Sequence, residues 1–380
     1  MIYLDAQAST PCDPRVVSAM MPYFTEFFGN PHSEEHRVGL AAREAVERAR
    51  GQVAAAIGAS PTEIIFTSGA TEANNLAIKG AARFARAGGR RRIITFATEH
   101  KCVLESVRDL ADGGFEPVIL PVGRDGRHDP EQLRKALLVP TLLVSAMAVN
   151  NETGILHDLA GITAAAKAAG ALMHSDFAQG LGRVALEVAG VPLDLVSLSA
   201  HKIYGPKGVG ALYVRRRPRV RLTPLFSGGG QERGLRPGTL PAPLIVGFGE
   251  AARLAVAEMV AEQARIAGLR NLLWAELQRA IPGIAQNAPD SPRIAGNLSL
   301  LLPRLKALDL IAACPELAVS TGSACSSAEI EPSQVLSAMG ISPEEAGRSL
   351  RVGIGRFTSS AEITRGAEMM GAAFARLTTI

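Results

Sequence analysis

The sequence lacks a long hydrophobic run, a secretion signal and a strong excess of one charge. Its longest mostly apolar stretch, residues 136–149, is interrupted by Pro140, whereas a membrane-spanning helix needs about 20 apolar residues. The N-terminus reaches Asp5 without the basic and apolar regions of a signal peptide. We therefore expect a cytoplasmic protein that does not enter the membrane.

Length and composition indicate a folded chain of two domains. The 380 residues exceed what one hydrophobic core usually holds. A content of 47% apolar and 20% charged residues is typical of globular rather than disordered chains. The net charge is only +4, and the arginines within residues 215–221 are more typical of a solvated surface than of a binding patch. We expect no direct contact with nucleic acid.

The four cysteines form no pattern of a metal site or a disulfide framework. Cys12, Cys102, Cys314 and Cys325 include no CxxC pair and no histidine spacing suited to zinc. We therefore expect four free thiols and no resident metal. The apolar run around Cys314 predicts a core position, and Cys102 is expected to lie buried near the functional site without belonging to it.

Alternating β-branched and alanine-rich segments between residues 63 and 214 indicate βα units in a mainly parallel sheet. This pattern predicts seven strands, at residues 63–67, 92–97, 117–121, 142–149, 171–175, 193–199 and 210–214. Helices are expected between them at residues 72–87, 102–111, 130–137 and 159–169. After residue 241 the composition becomes helical, and a smaller α+β unit is expected from about residue 259.

Polar segments follow five of the seven predicted strands. They are SGATEANN from Ser68, TEHK from Thr98, NNETG from Asn150, DFAQ from Asp176 and AHK from Ala200. In open α/β sheets, ligands bind beyond the carboxyl ends of the strands. We therefore expect these five segments to surround one site.

Three of these groups favour pyridoxal phosphate (PLP) as the cofactor. Gly69, Ala70 and Thr71 would open a helix, where N–H groups and the helix dipole favour a phosphate. Lys202, in an apolar strand-to-turn context, can attack a carbonyl and form a Schiff base. Asp176 ends a buried strand and needs a cationic partner such as a pyridinium N–H. Together these groups meet the requirements of PLP.

Longer motifs extend over nearly the whole chain, from Tyr3 to about Thr358. They are GNPHSEEHRVG from Gly29, FTSGATEANNLAIKG from Phe66, TEHK from Thr98, VNNETG from Val149, HSDFAQ from His174, SAHKIYGPKGVGALYVR from Ser199, GGGQERGLRPGTLP from Gly228 and STGSACSS from Ser320. With these motifs the sequence closely resembles the cysteine desulfurases, PLP enzymes of the aspartate-aminotransferase fold.

The resemblance implies an α/β fold of the PLP-dependent transferase type. A large domain with a mainly parallel seven-stranded sheet is expected at residues 15–258. A smaller C-terminal α+β domain is expected at residues 259–380, carrying a catalytic cysteine loop at about residues 320–333. Residues 1–14 would form an N-terminal segment that packs on the small domain.

The resemblance also implies a role for each matching residue. Lys202 is similar to the Schiff-base lysine, His100 to the imidazole that stacks on the pyridine ring, and Cys325 to the nucleophile. The implied cofactor contacts are Ala70, Thr71, His100, Asn151, Asp176, Gln179, Ser199, His201, Lys202 and Thr239. Thr239 would reach the phosphate of the neighbouring subunit of a homodimer. The implied substrate contacts are Arg351, Asn151 and Asn30, with the arginine taking the carboxylate.

The implied reaction converts L-cysteine to L-alanine and leaves the sulfur on Cys325 as a persulfide for an acceptor protein, either a scaffold or a thiolation enzyme. The Gly/Ser-rich loop around Cys325 resembles the long-loop branch of the family, which serves iron–sulfur cluster assembly, nitrogen fixation and RNA thiolation, and Cys325 is a candidate transient iron–sulfur ligand. The alternatives are a selenocysteine lyase or aminotransferase-like enzyme on the same fold, a desulfurase dedicated to tRNA or DNA modification, and a PLP-binding scaffold without catalysis.

Overall fold

The computed structural model describes residues 1–322 and 333–378. Its strands are β1 (Ile2–Tyr3), β2 (Ile64–Thr67), β3 (Arg92–Phe96), β4 (Glu116–Leu120), β5 (Thr141–Ser145), β6 (Leu172–Asp176), β7 (Leu195–Ser199), β8 (Gly210–Val214), β9 (Ala285–Gln286), β10 (Asn297–Leu301), β11 (Leu317–Ala318) and β12 (Ser349–Gly353). Its helices are α1 (Pro14–Met20), α2 (Pro22–Thr25), α3 (Arg37–Ala55), α4 (Ala70–Phe84), α5 (Lys101–Arg108), α6 (Pro130–Ala136), α7 (Leu159–Ala168), α8 (Ala242–Ala280), α9 (Ala307–Ala313), α10 (Gln334–Ala338), α11 (Pro343–Gly347) and α12 (Ser360–Thr378). In this part of the chain, no helix combines the length and apolar character of a membrane span.

Seven strands form the central sheet, in the order β2-β8-β7-β6-β5-β3-β4. Every pairing in it is parallel except those of β8, which runs antiparallel to both β2 and β7. Six strands therefore point the same way, and their carboxyl ends meet at one edge. The seven strands predicted from the sequence are confirmed. The fifth ends at Ser145, although the N–H groups of Ala146 and Ala148 still bond to main-chain carbonyls of β6 and of its end.

Two hydrophobic cores contain successive parts of the long helix α8, its N-terminal half in one and its C-terminal half in the other. In the first, residues such as Phe248 of α8 and Val46 of α3 pack with the sheet strands. In the second, Leu273 of α8 packs with the antiparallel pair β10–β12 and with α12. Burying the apolar faces of helices and sheets in this way supplies the main stabilisation of such layered folds. The boundary near residue 259 stays a prediction, because α8 crosses it without interruption.

The N-terminal segment connects the two cores. β1 pairs in parallel with β11, and Leu4 is buried in the second core. The main-chain N–H of Ala6 then donates to the carbonyl of Gly353 at the end of β12. Four residues later, the N–H of Thr10 donates to the carbonyl of His201, which follows β7. Residues 5–10 therefore pass between β12 and the carboxyl edge of the central sheet.

Candidate active site

A cavity of about 1040 Å³ lies at the carboxyl edge of the central sheet. It is large enough for a cofactor together with a small substrate. Ten residues singled out from the sequence line it, namely Ala70, Thr71, His100, Asn151, Asp176, Gln179, Ser199, His201, Lys202 and Arg351. The structure thus brings together the segments that follow β2, β3, β5, β6 and β7, and adds an arginine from β12.

The first turn of α4 forms the anion-binding end of the cavity. Gly69 is its N-cap, and no described side chain caps the helix there, so main-chain N–H groups near Ala70 and Thr71 are available to an anion. Gly69 has a φ of 156°, and a Cβ on Gly210 would lie 2.7 Å from the Cα of Gly69. The close approach of β8 to this turn therefore requires glycine at position 210, and the positive φ favours glycine at position 69.

His201 stands beside this end of the cavity as a neutral imidazole. Burial, followed by the nearby charges of Lys202, Lys207 and Arg183, lowers its pKa to about 4. Its Nδ1 atom lies 3.1 Å from the hydroxyl oxygen of Ser9. Lys207 also lines the cavity and was not singled out in the sequence, where its position directly after a glycine-proline pair resembles that of an ordinary surface lysine.

The amine of Lys202 is held by the N-terminal segment. Lys202 lies in the 3₁₀ turn Ala200–Lys202, directly after β7. Its Nζ donates to the main-chain oxygens of Gln7 at 2.6 Å and Ala8 at 2.7 Å. These two bonds fix the position of the amine at the cavity wall.

Arg183 fixes the orientation of the Gln179 side chain. The Nη1 atom of Arg183 donates to Oε1 of Gln179 at 2.8 Å, and Nη2 donates to the main-chain oxygen of Lys202 at 3.0 Å. Because a guanidinium can only donate, the Gln179 amide nitrogen must be on the other side, where it bonds to the carbonyl of Gln7 at 2.9 Å. Its second N–H can donate to a ligand oxygen, as a ring hydroxylate would require.

Asp176 is held at the end of β6 by two donors. Its Oδ2 accepts from Nδ2 of Asn74 at 2.7 Å, and its Oδ1 accepts from the N–H of Ala178 at 3.0 Å. Asn74, on α4, is fully buried. His100 is the N-cap of α5, and its Nδ1 accepts from the main-chain N–H of Cys102. Asn74 belongs to a motif that the sequence singled out, but its role could not be recognised there.

Arg351 is a buried cation at the opposite side of the cavity. Its Nη2 lies 2.7 Å from Oδ1 of Asp5, and its Nη1 donates to the main-chain oxygen of Asn151 at 2.9 Å. Its Nε and the Oδ1 of Asn151 are both buried without a hydrogen-bond partner in residues 1–322 and 333–378. Because buried polar atoms are normally satisfied, these two atoms mark a place for a polar ligand.

Two buried carboxyl groups that the sequence did not single out also line the cavity. Burial raises the pKa of Glu99 well above its usual value, and it also raises the pKa of Glu152. Oε1 of Glu99 accepts from the main-chain N–H of Met147 at 2.6 Å, and Glu152 accepts from the hydroxyl of Ser333. Their motifs, TEHK and NNETG, were noted for their neighbours His100 and Asn151.

The residues of this cavity fit PLP. An uncapped helix N-terminus suits its phosphate, the carboxylate of Asp176 suits its ring nitrogen, and the amine of Lys202 suits its aldehyde. The unpartnered Nε of Arg351 is then left to donate to a substrate carboxylate, and Oδ1 of Asn151 is left to accept from a substrate donor.

Three of the predicted residues are not placed in the cavity. Asn30 is exposed, its Oδ1 accepts from the N–H of His32 in a local turn, and it is not among the described residues that line the cavity. Thr239 is exposed and likewise absent from that lining. Cys325 lies outside the described residues. The structure therefore does not bring Asn30 to the substrate region of its own subunit, because the side chain closes a turn instead.

The predictions for Cys314 and Cys102 differ in outcome. The core position of Cys314 is confirmed, since it is 3% exposed within the second core. The expectation that Cys102 lies outside the site is wrong, because Cys102 lines the cavity and its Sγ lies 3.0 Å from Nδ1 of His100. The sequence spacing could not show that α5 starts so close to the sheet edge.

Comparisons with known proteins agree with this site. A family model described as aminotransferase class-V matches residues 2–365. A curated protein from Rickettsia bellii (strain OSU 85-389), named cysteine desulfurase IscS, is 51% identical over 362 residues, which cover 95% of this chain and 88% of that protein. A solved structure of a NifS-like protein superposes with a TM-score of 0.90 at 34% identity, with both chains fully covered. A structure titled "SspA in complex with cysteine" has a TM-score of 0.83 at 35% identity, covering 94% of this chain and 100% of that one.

Proposed function

Because the chain belongs to the aminotransferase class-V family and is a PLP-dependent cysteine desulfurase, we propose that it moves the sulfur of L-cysteine to Cys325. The persulfide is then delivered to an acceptor protein for iron–sulfur cluster assembly. Support for delivery to cluster assembly comes from the similarity to proteins named cysteine desulfurase IscS over 95% of this chain.

One observation carries the assignment of an amino-acid substrate. The N-terminal segment contacts both the amine of Lys202, through the carbonyl of Gln7, and the guanidinium of Arg351, through Asp5. An α-amino acid substrate requires a lysine that exchanges amines and an arginine that binds the carboxylate. Both are therefore anchored by the N-terminal segment, at positions two residues apart. This arrangement suits a substrate that bridges Lys202 and Arg351.

Arg351 orients the substrate. Asp5 and the carbonyl of Asn151 occupy one donor on each of its terminal nitrogens, so Nε and a further N–H remain for a carboxylate. When bound, PLP supplies an electron sink that stabilises negative charge at the substrate Cα. The amine of Lys202, once exchanged for that of the substrate, takes the proton from Cα.

Asp176, Gln179 and His201 hold the cofactor in the state this chemistry needs. The carboxylate of Asp176, positioned by Asn74 and the N–H of Ala178, keeps a proton on the ring nitrogen. The amide of Gln179, which Arg183 orients, would donate to the ring hydroxylate of the bound cofactor. His201, which is neutral at pH 7 because burial lowers its pKa to about 4, offers a ring N–H to the phosphate without adding a charge.

Sulfur transfer uses the thiolate of Cys325 as nucleophile. An S–S bond forms between Cys325 and the substrate sulfur while the substrate Cβ–S bond breaks. The bonding electron pair stays on Cβ, which takes up a proton, and the substrate leaves as L-alanine. The enzyme thiol thereby becomes a persulfide, and no external oxidant is required.

We further propose that the enzyme works as a cytoplasmic homodimer. Thr239 is exposed in the described chain, as expected for a residue that serves a neighbouring subunit. Met21, Phe24 and Phe28 lie close together in the sequence and are 53%, 52% and 68% exposed, which suits a covered surface. Light scattering of the purified enzyme should give twice the chain mass, and a monomer that retains full activity would contradict the proposal.

Mass spectrometry after incubation with L-cysteine tests the proposed function. The wild type should gain about 32 Da, the mass of one sulfur atom, on the peptide that contains Cys325, and a reductant should remove it. Cys12→Ala, outside the cavity, should gain the same adduct. An enzyme that converts L-cysteine without any adduct on Cys325 would instead favour the aminotransferase-like alternative.

A further inference from the structure

A continuous chain of hydrogen bonds joins Asp176 to His100. The Nδ2 atom of Asn74 lies 2.7 Å from Oδ2 of Asp176 and 3.2 Å from Sγ of Cys102. Sγ of Cys102 in turn lies 3.0 Å from Nδ1 of His100. An amide nitrogen carries two hydrogens, so Asn74 can donate to both neighbours at once. The chain links the carboxylate at the ring nitrogen of the cofactor to the imidazole predicted to stack on that ring.

The direction of each bond in this chain follows from the donors. The main-chain N–H of Cys102 donates to Nδ1 of His100 at 3.2 Å, and a main-chain N–H cannot accept. Nδ1 is therefore an acceptor, and the neutral ring carries its proton on Nε2. Because Nδ1 carries no hydrogen, the S–H of Cys102 supplies the hydrogen of the 3.0 Å contact between Sγ and Nδ1, and Nδ1 accepts from both donors of Cys102.

The side-chain amide of Asn74 fits this chain of hydrogen bonds in only one orientation. It is fully buried, and its Oδ1 has no hydrogen-bond partner in the described part of the chain. Exchanging its oxygen and nitrogen would place the amide oxygen 2.7 Å from the carboxylate oxygen of Asp176, where two acceptors repel. The amide of Asn74 is thus fixed by Asp176, and it fixes Cys102 in turn.

Other charged groups also act on His100. The carboxyl groups of Glu99 and Glu152 interact electrostatically with it, while Asp176 lies at the far end of the hydrogen-bond chain and Lys101 is its neighbour in sequence. Burial raises the pKa of Glu99 well above its usual value, which favours the uncharged form. The hydrogen bonds between Nδ1 and Cys102 therefore constrain the imidazole locally, and they act separately from these longer-range electrostatic interactions.

We propose that Asn74 and Cys102 are positioning residues, which hold His100 in the tautomer with its proton on Nε2 and in a fixed orientation over the cofactor ring. The role of this tautomer in turnover rests on the proposed function, but the tautomer itself does not. In this role the side chain of Cys102 accepts from Asn74 and donates to His100. Serine at position 102 can make the same two bonds, whereas alanine can make neither.

Nuclear magnetic resonance of the holoenzyme labelled with ¹⁵N-histidine tests the proposal. Two-bond ¹H–¹⁵N correlations distinguish the two neutral tautomers and the imidazolium, and His100 is assigned by its absence in His100→Gln. We expect the Nε2–H tautomer in the wild type and in Cys102→Ser. In Cys102→Ala, loss of the S–H bond to the neutral ring should move formation of the imidazolium about half a pH unit higher. Asn74→Ala should produce a shift in the same direction, and Cys12→Ala should produce none.

Two results would overturn the proposal. One is an Nδ1–H tautomer of His100 in the wild type, and the other is a Cys102→Ala titration that coincides with that of the wild type. These results are separable from failure of the proposed function. A wild-type enzyme that forms no persulfide but shows the expected histidine spectra would refute the function alone, whereas normal turnover with unchanged spectra in all variants would refute the positioning role alone.

Discussion

The amine of Lys202 lies 2.6 Å from the main-chain oxygen of Gln7, although 195 positions separate them in the sequence. The same oxygen accepts from the Gln179 amide at 2.9 Å. One carbonyl group therefore aligns the lysine proposed to attack the cofactor with the glutamine proposed to face its ring hydroxylate. The N-terminal segment is thus a wall of the active site and not only a strand that packs on the second core.

Replacing Lys202 should abolish covalent attachment of the cofactor. In Lys202→Ala, borohydride reduction should add no cofactor mass to the protein, because the amine that Gln7 and Ala8 hold at the cavity wall is removed. Mass spectrometry of the reduced protein measures this directly. Lys79→Ala is the control, since Lys79 pairs with Asp109 outside the cavity lining. A reduced Lys202→Ala protein that still carries the cofactor would refute the assignment.

Substituting Arg351 should weaken the binding of L-cysteine more than it slows the chemistry. In Arg351→Lys, the side chain can no longer bind a carboxylate with two parallel N–H bonds. We expect kcat/KM to fall by about 10- to 100-fold, which corresponds to the free energy of one charge-assisted hydrogen bond. Most of this change should be a rise in KM. Steady-state kinetics with L-cysteine measures the split, and Arg365→Lys, which is exposed on α12, is the control. A fall confined to kcat would contradict substrate binding by Arg351.

The sequence predicts the site residues at the carboxyl ends of the strands much better than it predicts the residues that position them. His100, Asp176 and Lys202 could be located because each directly follows a short β-branched run, and the ends of parallel strands must meet. Gln7 could not be recognised, because its contribution is a main-chain carbonyl that any residue would supply. Arg183 and Asn74 were missed for a different reason, since only the packing of the loop and of α4 shows which atoms they orient.

The Gly-rich segment that carries Thr239 is anchored by a buried ion pair. Arg50 of α3 donates two bonds to the carboxylate of Glu232, at 2.7 and 2.8 Å, and the side chains of both residues are at most 5% exposed. The N–H of Phe66 also donates to Glu232 at 2.6 Å. Glu232 has a φ of 47°, so the carboxylate holds a backbone conformation that a non-glycine residue seldom adopts.

Neutralising Glu232 should therefore destabilise the protein strongly. Glu232→Gln keeps the shape of the side chain but leaves Arg50 as a buried charge without its main counter-ion, at a cost of about 3–5 kcal/mol. Glu47→Gln is a matched control, because Glu47 pairs with the same arginine from the exposed surface of α3 and should change stability by less than about 1 kcal/mol. Urea denaturation compares the two. Equal effects would show that Glu232 is not the principal partner of Arg50.

Three stacked rings, which the sequence did not single out, are formed by Phe96, His128 and His157. The ring of His128 lies 3.6 Å from that of Phe96 and 4.0 Å from that of His157, with nearly parallel planes. The four imidazole nitrogens are buried without a hydrogen-bond partner in residues 1–322 and 333–378. Burial, followed by the charge of Arg127, lowers the pKa of His157 to about 4. Burial also lowers the pKa of His128 well below its usual value, so both imidazole rings are neutral at pH 7 and pack as apolar rings.

The pKa of His157 makes stability depend on pH in a defined window. Between about pH 6.5 and pH 4 the unfolded chain binds a proton at this histidine and the folded chain does not, so acidification favours unfolding. From pH 7.5 to pH 5, His157 alone should remove about 2 kcal/mol of stability. Glu99, whose pKa is raised by burial, acts in the opposite sense, so only a comparison of variants isolates the histidine.

His157→Phe should remove this dependence while preserving the stack, because a phenyl ring can replace an imidazole whose nitrogens bond to nothing described. Urea denaturation at pH 7.5 and pH 5 should show the stability of the variant falling by about 2 kcal/mol less than that of the wild type. His32→Gln, at an exposed position, should leave the dependence unchanged. If His157→Phe and the wild type lose the same stability on acidification, His157 is already protonated in the folded enzyme at pH 5. The charged imidazole of His157 would then need a hydrogen-bond acceptor, and the stack could not consist of apolar rings alone.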